Sequence, residues 1–424
     1  MKAEIDIMAV YYIDPINGSD SFDGLSEASA KKTQGAVSPK AGDSVLFKRG
    51  SLLREKLKLV SGEPNAPITY GAYGEGAEPT FCGSTDVSCE NDWVLTDTEN
   101  VWECVKSIPG DVGNFVFNGD ECTATFRWTK EQLCEQGDFW DVRYAQGEHH
   151  RGRFTEQKVL MYSVGNPANV YSHIECVSFN TRALATTCPD IVIDGICFKN
   201  SGVHALAGQG DRMKILNCRI ENIGGCAWNE DLQIRFGNGF EIWDHGNDIT
   251  IENCTFKNVY DSCVTHQGPG DLTEPAKRFI CNGNRFDTYG MAAFEYRDKM
   301  PIDSEFKNNV CENAGCGFAM LGEVLPRKSE IWPQPMGHHI FLWRIPKATE
   351  GGSVEISGNV FGNAPVGAAV YSIISAEAEA QLNLENNLYT QNPILLNRFG
   401  GKDYNDLEAY KSETGKDKES KYLA

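Results

Sequence analysis

The sequence has no CxxC pair, no apolar run of membrane length and no excess of positive charge. Each absence removes a class of protein. The 15 cysteines fall between Cys82 and Cys316, and without a CxxC step they do not form a Cys-rich zinc site. Several sit inside apolar strands, as in ILNCRI and IENCTF. There a reduced thiol packs as a small hydrophobe, which suits a reducing compartment. The opening MKAEIDIMAVYYIDP lacks both the apolar core and the small-residue cleavage site of a secretory signal. The expected location is therefore the cytoplasm, or outside the cell if a signal has been removed. Lys and Arg number 39 against 59 Asp and Glu, a formal charge of -20. Such a surface repels nucleic acid and anionic membranes, and weighs lightly against any strongly polyanionic partner unless a local basic cleft overrides it. Walker, dinucleotide and GxSxG signatures are absent as well.

What is present is glycine, asparagine and a repeat. The 42 Gly and frequent Asn-Gly and Gly-Asn steps favour short strands joined by turns. The segments IVIDGICFKNSG, MKILNCRIENIGG, ITIENCTFKNVYD, FICNGNRFDTYG, SEFKNNVCENAG, VEISGNVFGNAP and LNLENNLYTQNP share one plan. An alternating apolar strand leads to a polar step, a second apolar strand, and then Asn, Asp or Gly. The recurring second-strand residue falls at Phe198, Ile220, Phe256, Phe286, Cys311, Phe361 and Tyr389, with gaps of 22, 36, 30, 25, 50 and 28 residues. A minimum near one coil length with insertions of variable size indicates an all-β fold, a single-stranded parallel β-helix whose coils stack about 4.8 Å apart. The step before the column is Cys218, Cys254, Asn284, Asn309, Asn359 and Asn387. Asn there can bond to neighbouring turns, and Cys can fill the same space apolarly.

The pattern divides the chain into four stretches. Residues 1–89 form an N-terminal cap and the first coils, since an open first coil would expose a sheet edge. Residues 90–187 break the coil pattern and read as a strand-rich insertion. Residues 188–402 form the main β-helix with long loops. Residues 403–424 form a charged C-terminal helix or tail that could cover the other end.

YYIDPINGSDSFDGLS with AGDSVLFKRG, then GDFWDVRY and KVLMYSVGNPA, then GNGFEIWDHGNDITIENCTFKNVYDSCVTHQG, resemble bacterial right-handed parallel β-helix proteins that act on glycans. The resemblance implies a carbohydrate ligand. It spans glycoside hydrolases, polysaccharide lyases, uronate epimerases and non-catalytic binders, because one fold hosts many activities. The sequence lacks the paired Asp of the polygalacturonases and a pectate-lyase calcium signature.

Offsets from the column residue select the candidate site. Asp261 and His266 lie five and ten past Phe256, and Glu295 and Tyr296 lie nine and ten past Phe286. Counted one coil earlier, Glu230 reaches the same offset. Glu230, His266 and Glu295 or Tyr296 are therefore expected together on one face. Long insertions leave nearby, and a rigid stack presenting loops is a usual place for binding groups. In GFEIWD, alternation places Glu241 and Trp243 on one side, a carboxylate beside an indole on which a sugar ring can stack. The expected catalytic groups are Glu295 and Asp261, with Glu241 in reserve and His266 beside them. Trp243, Arg297, Gln267, Tyr296, Glu230, Arg235, Glu323, His338, Trp343 and Arg344 are the expected substrate contacts. Two carboxylates would suit glycoside hydrolysis. A lyase or epimerase would instead use His266, Tyr296, Arg297 and Lys299, and a binder would need only the stacking aromatics. No cofactor is expected; calcium through oxygen ligands is possible but has no motif to place it. Monomer and homo-oligomer both remain open.

Overall fold

The computed structural model describes residues 8–145, 157–229, 233–244, 246–267, 273–320, 336–365, 367–390, 397–399 and 402–423. The chain winds as a right-handed parallel β-helix. Each coil adds one strand to each of three parallel sheets, and strands within a sheet follow one another in chain order. One coil is Ile249–Glu252, Thr255–Val259 and Ser262–His266; the next is Ile280–Asn282, Arg285–Tyr289 and Ala292–Arg297. The column read from the repeat is in register through the second sheet. Phe198 pairs with Ile220, then come Phe256, Phe286, Cys311, Phe361 and Tyr389. All seven are buried in one continuous apolar core.

The corners require left-handed backbone, which explains the asparagines and glycines. Between first and second sheets, Asn217, Asn253, Gly283, Asn308, Gly358 and Asn386 have φ from 51° to 67°. Near the ends of the second-sheet strands that lead to the third, Asn200, Asn222 and Asn258 each have φ of 56°. Asn is the side-chain-bearing residue that most readily adopts this conformation.

Inside the first corner runs a buried polar ladder. The backbone N–H groups of Cys254, Asn284, Asn309 and Asn359 donate to Oδ1 of Asn284, Asn309, Asn359 and Asn387 at 2.8–3.0 Å. The Asn side chains donate in turn to carbonyls, as Asn309 Nδ2 does to Cys281 O at 2.8 Å. Cys218 and Cys254 continue the column at its lower end, with Cys218 N 3.4 Å from Cys254 Sγ. All 15 cysteines are free thiols.

The insertion enters within a coil. It leaves after Thr80–Cys82 of the second sheet and returns at Ala183–Thr187, the first strand of the third. Between them, a five-stranded and a four-stranded sheet enclose a separate core that includes Trp93, Phe115, Phe126, Phe139 and Met161. At the far end the helix Leu407–Thr414 buries Leu407 and Tyr410 in the main core, and Lys421–Tyr422 pairs with Leu388–Tyr389. Among the described residues, no helix is long and apolar enough to cross a membrane.

The ladder makes a testable statement about stability. Asn309→Ala removes the acceptor for Asn284 N–H and the donor for Cys281 O, both buried. Each orphaned group costs about 1–3 kcal/mol, so urea unfolding should show a loss of about 2–5 kcal/mol. A loss under about 1 kcal/mol would mean the ladder contributes little.

Candidate active site

The site lies on the outer face of the third sheet. Its geometry follows from strand parity, because neighbouring residues on a strand face opposite sides. Leu206, Phe240, Val264, Phe294 and Ile340 are in register and fill the core. The next residues, Ala207, Glu241, Thr265, Glu295 and Phe341, therefore form an outward row. Two positions further, Trp243, Gln267, Arg297 and Trp343 extend that face.

The parity corrects two expectations. His266 is in register with Ile242 and Tyr296, and both of those side chains belong to the core. Tyr296 stacks on Phe294 with ring centroids 4.1 Å apart. The offsets thus place His266 and Tyr296 level with each other, on the inward side and away from Glu295. Their catalytic and substrate-contact roles are withdrawn on this ground.

Glu230 and Glu323 lie outside the described residues. Cys226–Asn229 and Ile234–Phe236 form an antiparallel hairpin outside the three parallel sheets. The hairpin delays the coil, so Glu241 occupies the row instead.

Arg235 is also a correction. It is fully buried, and its guanidinium donates to the carbonyls of Gly225, Ala319 and Gly113 at 2.6–2.7 Å. It lies 3.9 Å from the centroid of Phe126 and 5.0 Å from that of Tyr260. A group so enclosed serves packing between insertion and β-helix, not a ligand.

Three carboxylates remain on the face. Asp261 sits at the corner leading into Ser262–His266, where Asp261 N donates to Gly237 O and Asp261 O accepts from Met291 N, both at 3.1 Å. Close stacking at this corner needs glycine: a Cβ on Gly290 would stand 1.9 Å from Tyr260 O. Glu241 is held by Asn238 Nδ2 at 2.7 Å and Trp243 Nε1 at 2.5 Å, with His204 Nε2 3.4 Å away and Gln267 also bonded to it. Asn238 then links the groups, because its Oδ1 accepts Ser262 N–H at 2.9 Å and Ser262 Oγ lies 3.0 Å from Glu295 Oε2. Arg297 closes the other Glu295 oxygen with an ion pair.

Burial acts differently on the two glutamates. Burial pushes the Glu295 carboxyl above its ordinary value; nearby Asp261 adds to this, and Arg297 and Ser262 only partly offset it. At Glu241 burial also pushes upward, but His204, Trp243, Asn238 and Gln267 outweigh it and hold the carboxyl low. His204 is itself held below its ordinary value by burial, against the pull of Glu241 and Asp261. Its Nδ1 accepts Asn238 N–H at 3.0 Å, so the neutral ring carries its proton on Nε2, facing Glu241.

Aromatic groups flank the carboxylates. Arg182 stands 4.7 Å from the Trp243 ring centroid. Arg297 and Arg344 each stand 4.5 Å from that of Trp343, and Arg344 pairs with Asp298 at 2.9 Å. His338 is buried; its Nδ1 accepts Ala368 N–H, and its ring stacks on Tyr371 at 4.3 Å. The structure therefore brings together Glu241, Asp261, Glu295, Gln267, Trp243, Arg297, Trp343 and Arg344, and turns His266, Tyr296 and Arg235 elsewhere.

The sequence reading missed His204, Asn238, Ser262 and Arg182. Two of these carried a signal: His204 and Ser262 both lie six past their column residues, Phe198 and Phe256. Among the described residues, no three His, Cys, Asp or Glu side chains converge as metal ligands.

The fold is that of right-handed parallel β-helix proteins. One such solved structure is a GH136 lacto-N-biosidase from Eubacterium ramulus, a selenomethionine derivative: TM-score 0.53, 14% identity, covering 93% of this chain and 62% of that one. Another is XylC in complex with xylose: TM-score 0.55, 14% identity, covering 92% and 62%. This chain thus spans about 62% of the length of each. No protein-family model matches it. No curated protein sequence matches it either.

The Glu241–His204 pair gives the protein an acid-side instability. Glu241 is held below its ordinary value of 4.5, so its stabilisation is present above that pH and is lost as pH falls further. His204 is held below 6.5, so the unfolded chain takes up its proton first and stability falls as pH drops through 6.5. Melting temperature should decline from pH 7 to 4, and less steeply in the double variant His204→Gln, Glu241→Gln. Parallel declines in the two proteins would contradict this assignment.

Proposed function

We propose that the protein is a glycoside hydrolase that uses Glu295 as general acid and Asp261 as its carboxylate partner. The observation that carries this reading is the pairing itself. Glu295 is pushed above the ordinary carboxyl value by burial and by the nearby Asp261. Two neighbouring carboxyl groups, one of them disposed to hold a proton, are what glycosidic cleavage requires. Glu295 protonates the leaving oxygen; Asp261, at the edge of the buried cluster, attacks the anomeric carbon or activates water. Glu241 is already engaged by Asn238, Trp243 and Gln267 and acts as a fixed anion that orients the cluster.

Both Glu295 oxygens are occupied, by Arg297 and Ser262. In the proposed step the glycosidic oxygen replaces Arg297, which rests on Trp343. Trp243 and Trp343 stand three strand spacings apart, roughly 14 Å, on either side of the carboxylates, with Arg182 over the first ring and Arg297 and Arg344 over the second. One structural neighbour is a lacto-N-biosidase and another was solved with xylose, which supports a sugar as ligand.

Lyase chemistry has less support. Of its candidate bases, Tyr296 packs in the core and His266 is buried in register with it, which leaves Lys299 as the group to supply one.

The test is a screen of neutral and uronate-containing oligosaccharides, following reducing ends and the absorbance of unsaturated uronate in the same wells. Hydrolysis gives reducing ends without absorbance. Glu295→Gln should then lower kcat by about 100-fold or more and abolish the alkaline limb of the pH profile, since the acid no longer titrates. Reducing ends with absorbance, or an unaltered alkaline limb in Glu295→Gln, would reject the assignment.

A further inference from the structure

The Trp243 end of the face carries a charged group that the hydrolytic step leaves unused. Arg182 lies on the turn that leads from the insertion into Ala183–Thr187, and it is exposed. Among the described residues it has no carboxylate partner. Other arginines of this acidic chain do: Arg212 pairs with Asp190, Arg219 with Glu221, Arg278 with Asp248, Arg285 with Glu312 and Arg344 with Asp298. Arg182 instead rests on Trp243, whose indole N–H is committed to Glu241.

The chemistry of that arrangement is specific. A guanidinium lying on an aromatic ring by its face keeps its N–H groups at the edge, where they match a planar carboxylate in bidentate fashion. The ring holds the cation without neutralising it. The charge is close enough to the cluster to help keep His204 neutral. At the other end of the face, Arg297 and Arg344 flank Trp343 but are each paired to an acid, Glu295 and Asp298. Among the described arginines that flank the two tryptophans, Arg182 is thus the one without an acid partner.

We propose that Arg182 recognises the carboxylate of an acidic sugar, so that the substrate is a uronic-acid-containing oligosaccharide with its acidic residue over Trp243. The inference rests on reading this face as the sugar-binding cleft. It assigns Arg182 to substrate recognition and gives it no part in bond breaking. The overall charge of -20 does not oppose it, because exposed charges farther away than a Debye length of about 8–10 Å are largely screened.

The experiment is calorimetric binding with matched probes. Short oligogalacturonides and glucuronic-acid-capped xylo-oligosaccharides are each compared with their carboxyl-reduced counterparts, using the wild-type protein, Arg182→Gln and Arg182→Lys. At least one acidic probe should bind roughly tenfold more tightly than its reduced form. Arg182→Gln should remove that difference while leaving the melting temperature unchanged, and Arg182→Lys should keep only part of it. Equal binding of both members of every pair, a preference that survives Arg182→Gln, or no binding of any probe would overturn the proposal. Reducing ends are followed in the same samples, which separates the two readings. Acid-selective binding without cleavage keeps the recognition and rejects hydrolysis. Cleavage confined to neutral probes keeps hydrolysis and rejects the recognition.

Discussion

In-register stacking of coils is the constraint on which everything else depends. Each strand satisfies its backbone on the coils below and above, so a residue at one offset meets the same offset in its neighbours. At the first corner that stacking is fixed by a buried ladder, in which Asn284, Asn309, Asn359 and Asn387 accept one N–H and donate to one carbonyl. A slip of one residue would break the ladder and send every outward side chain into the core. The position of Glu295 beside Ser262, and of Glu241 two strand spacings away, is a consequence of that register and not of the loops.

The same parity produces the electrostatics of the site. Glu241 and Glu295 stand in one row, both nearly without solvent, yet their surroundings differ. Four groups converge on Glu241 and hold it ionised. Glu295 has Asp261 nearby and is pushed the other way. Asn238 couples the two through one hydrogen bond to Glu241 and one from Ser262. A change at either end therefore acts on a connected polar network, not on a lone carboxylate.

Much of the fold was legible because repetition is a property of sequence. The column from Phe198 to Tyr389 and the Cys/Asn step before it were both visible, and the offsets level His266 with Tyr296 as counted. The choice of face was not carried through: Glu295 outward requires Tyr296 inward, and the same parity turns His266 to the core. The hairpin of Cys226–Asn229 with Ile234–Phe236 was invisible to a count that assumes uninterrupted coils, so the count did not reach Glu241 as that coil's member of the row. Arg235 illustrates a different limit. Its partners are the carbonyls of Gly225, Ala319 and Gly113, and backbone acceptors leave no trace in residue identity.

Arg235 also explains how the insertion is held beside the strands that carry Glu241 and Glu295. Its three carbonyls belong to the insertion, to the hairpin and to the turn near Ala319, and its ring contacts add Phe126 of the insertion and Tyr260, the neighbour of Asp261. A buried cation left with any of these acceptors missing costs several kcal/mol, so the three segments are held to one arrangement. The insertion is tied down again where Arg54 grips Glu175 with both nitrogens at 2.6–2.8 Å. Seven residues beyond Glu175 the chain reaches Arg182 and re-enters the third sheet. A rigid anchor at each side fixes that turn, and a fixed turn is what lets an exposed arginine sit on Trp243 with little further loss of side-chain freedom.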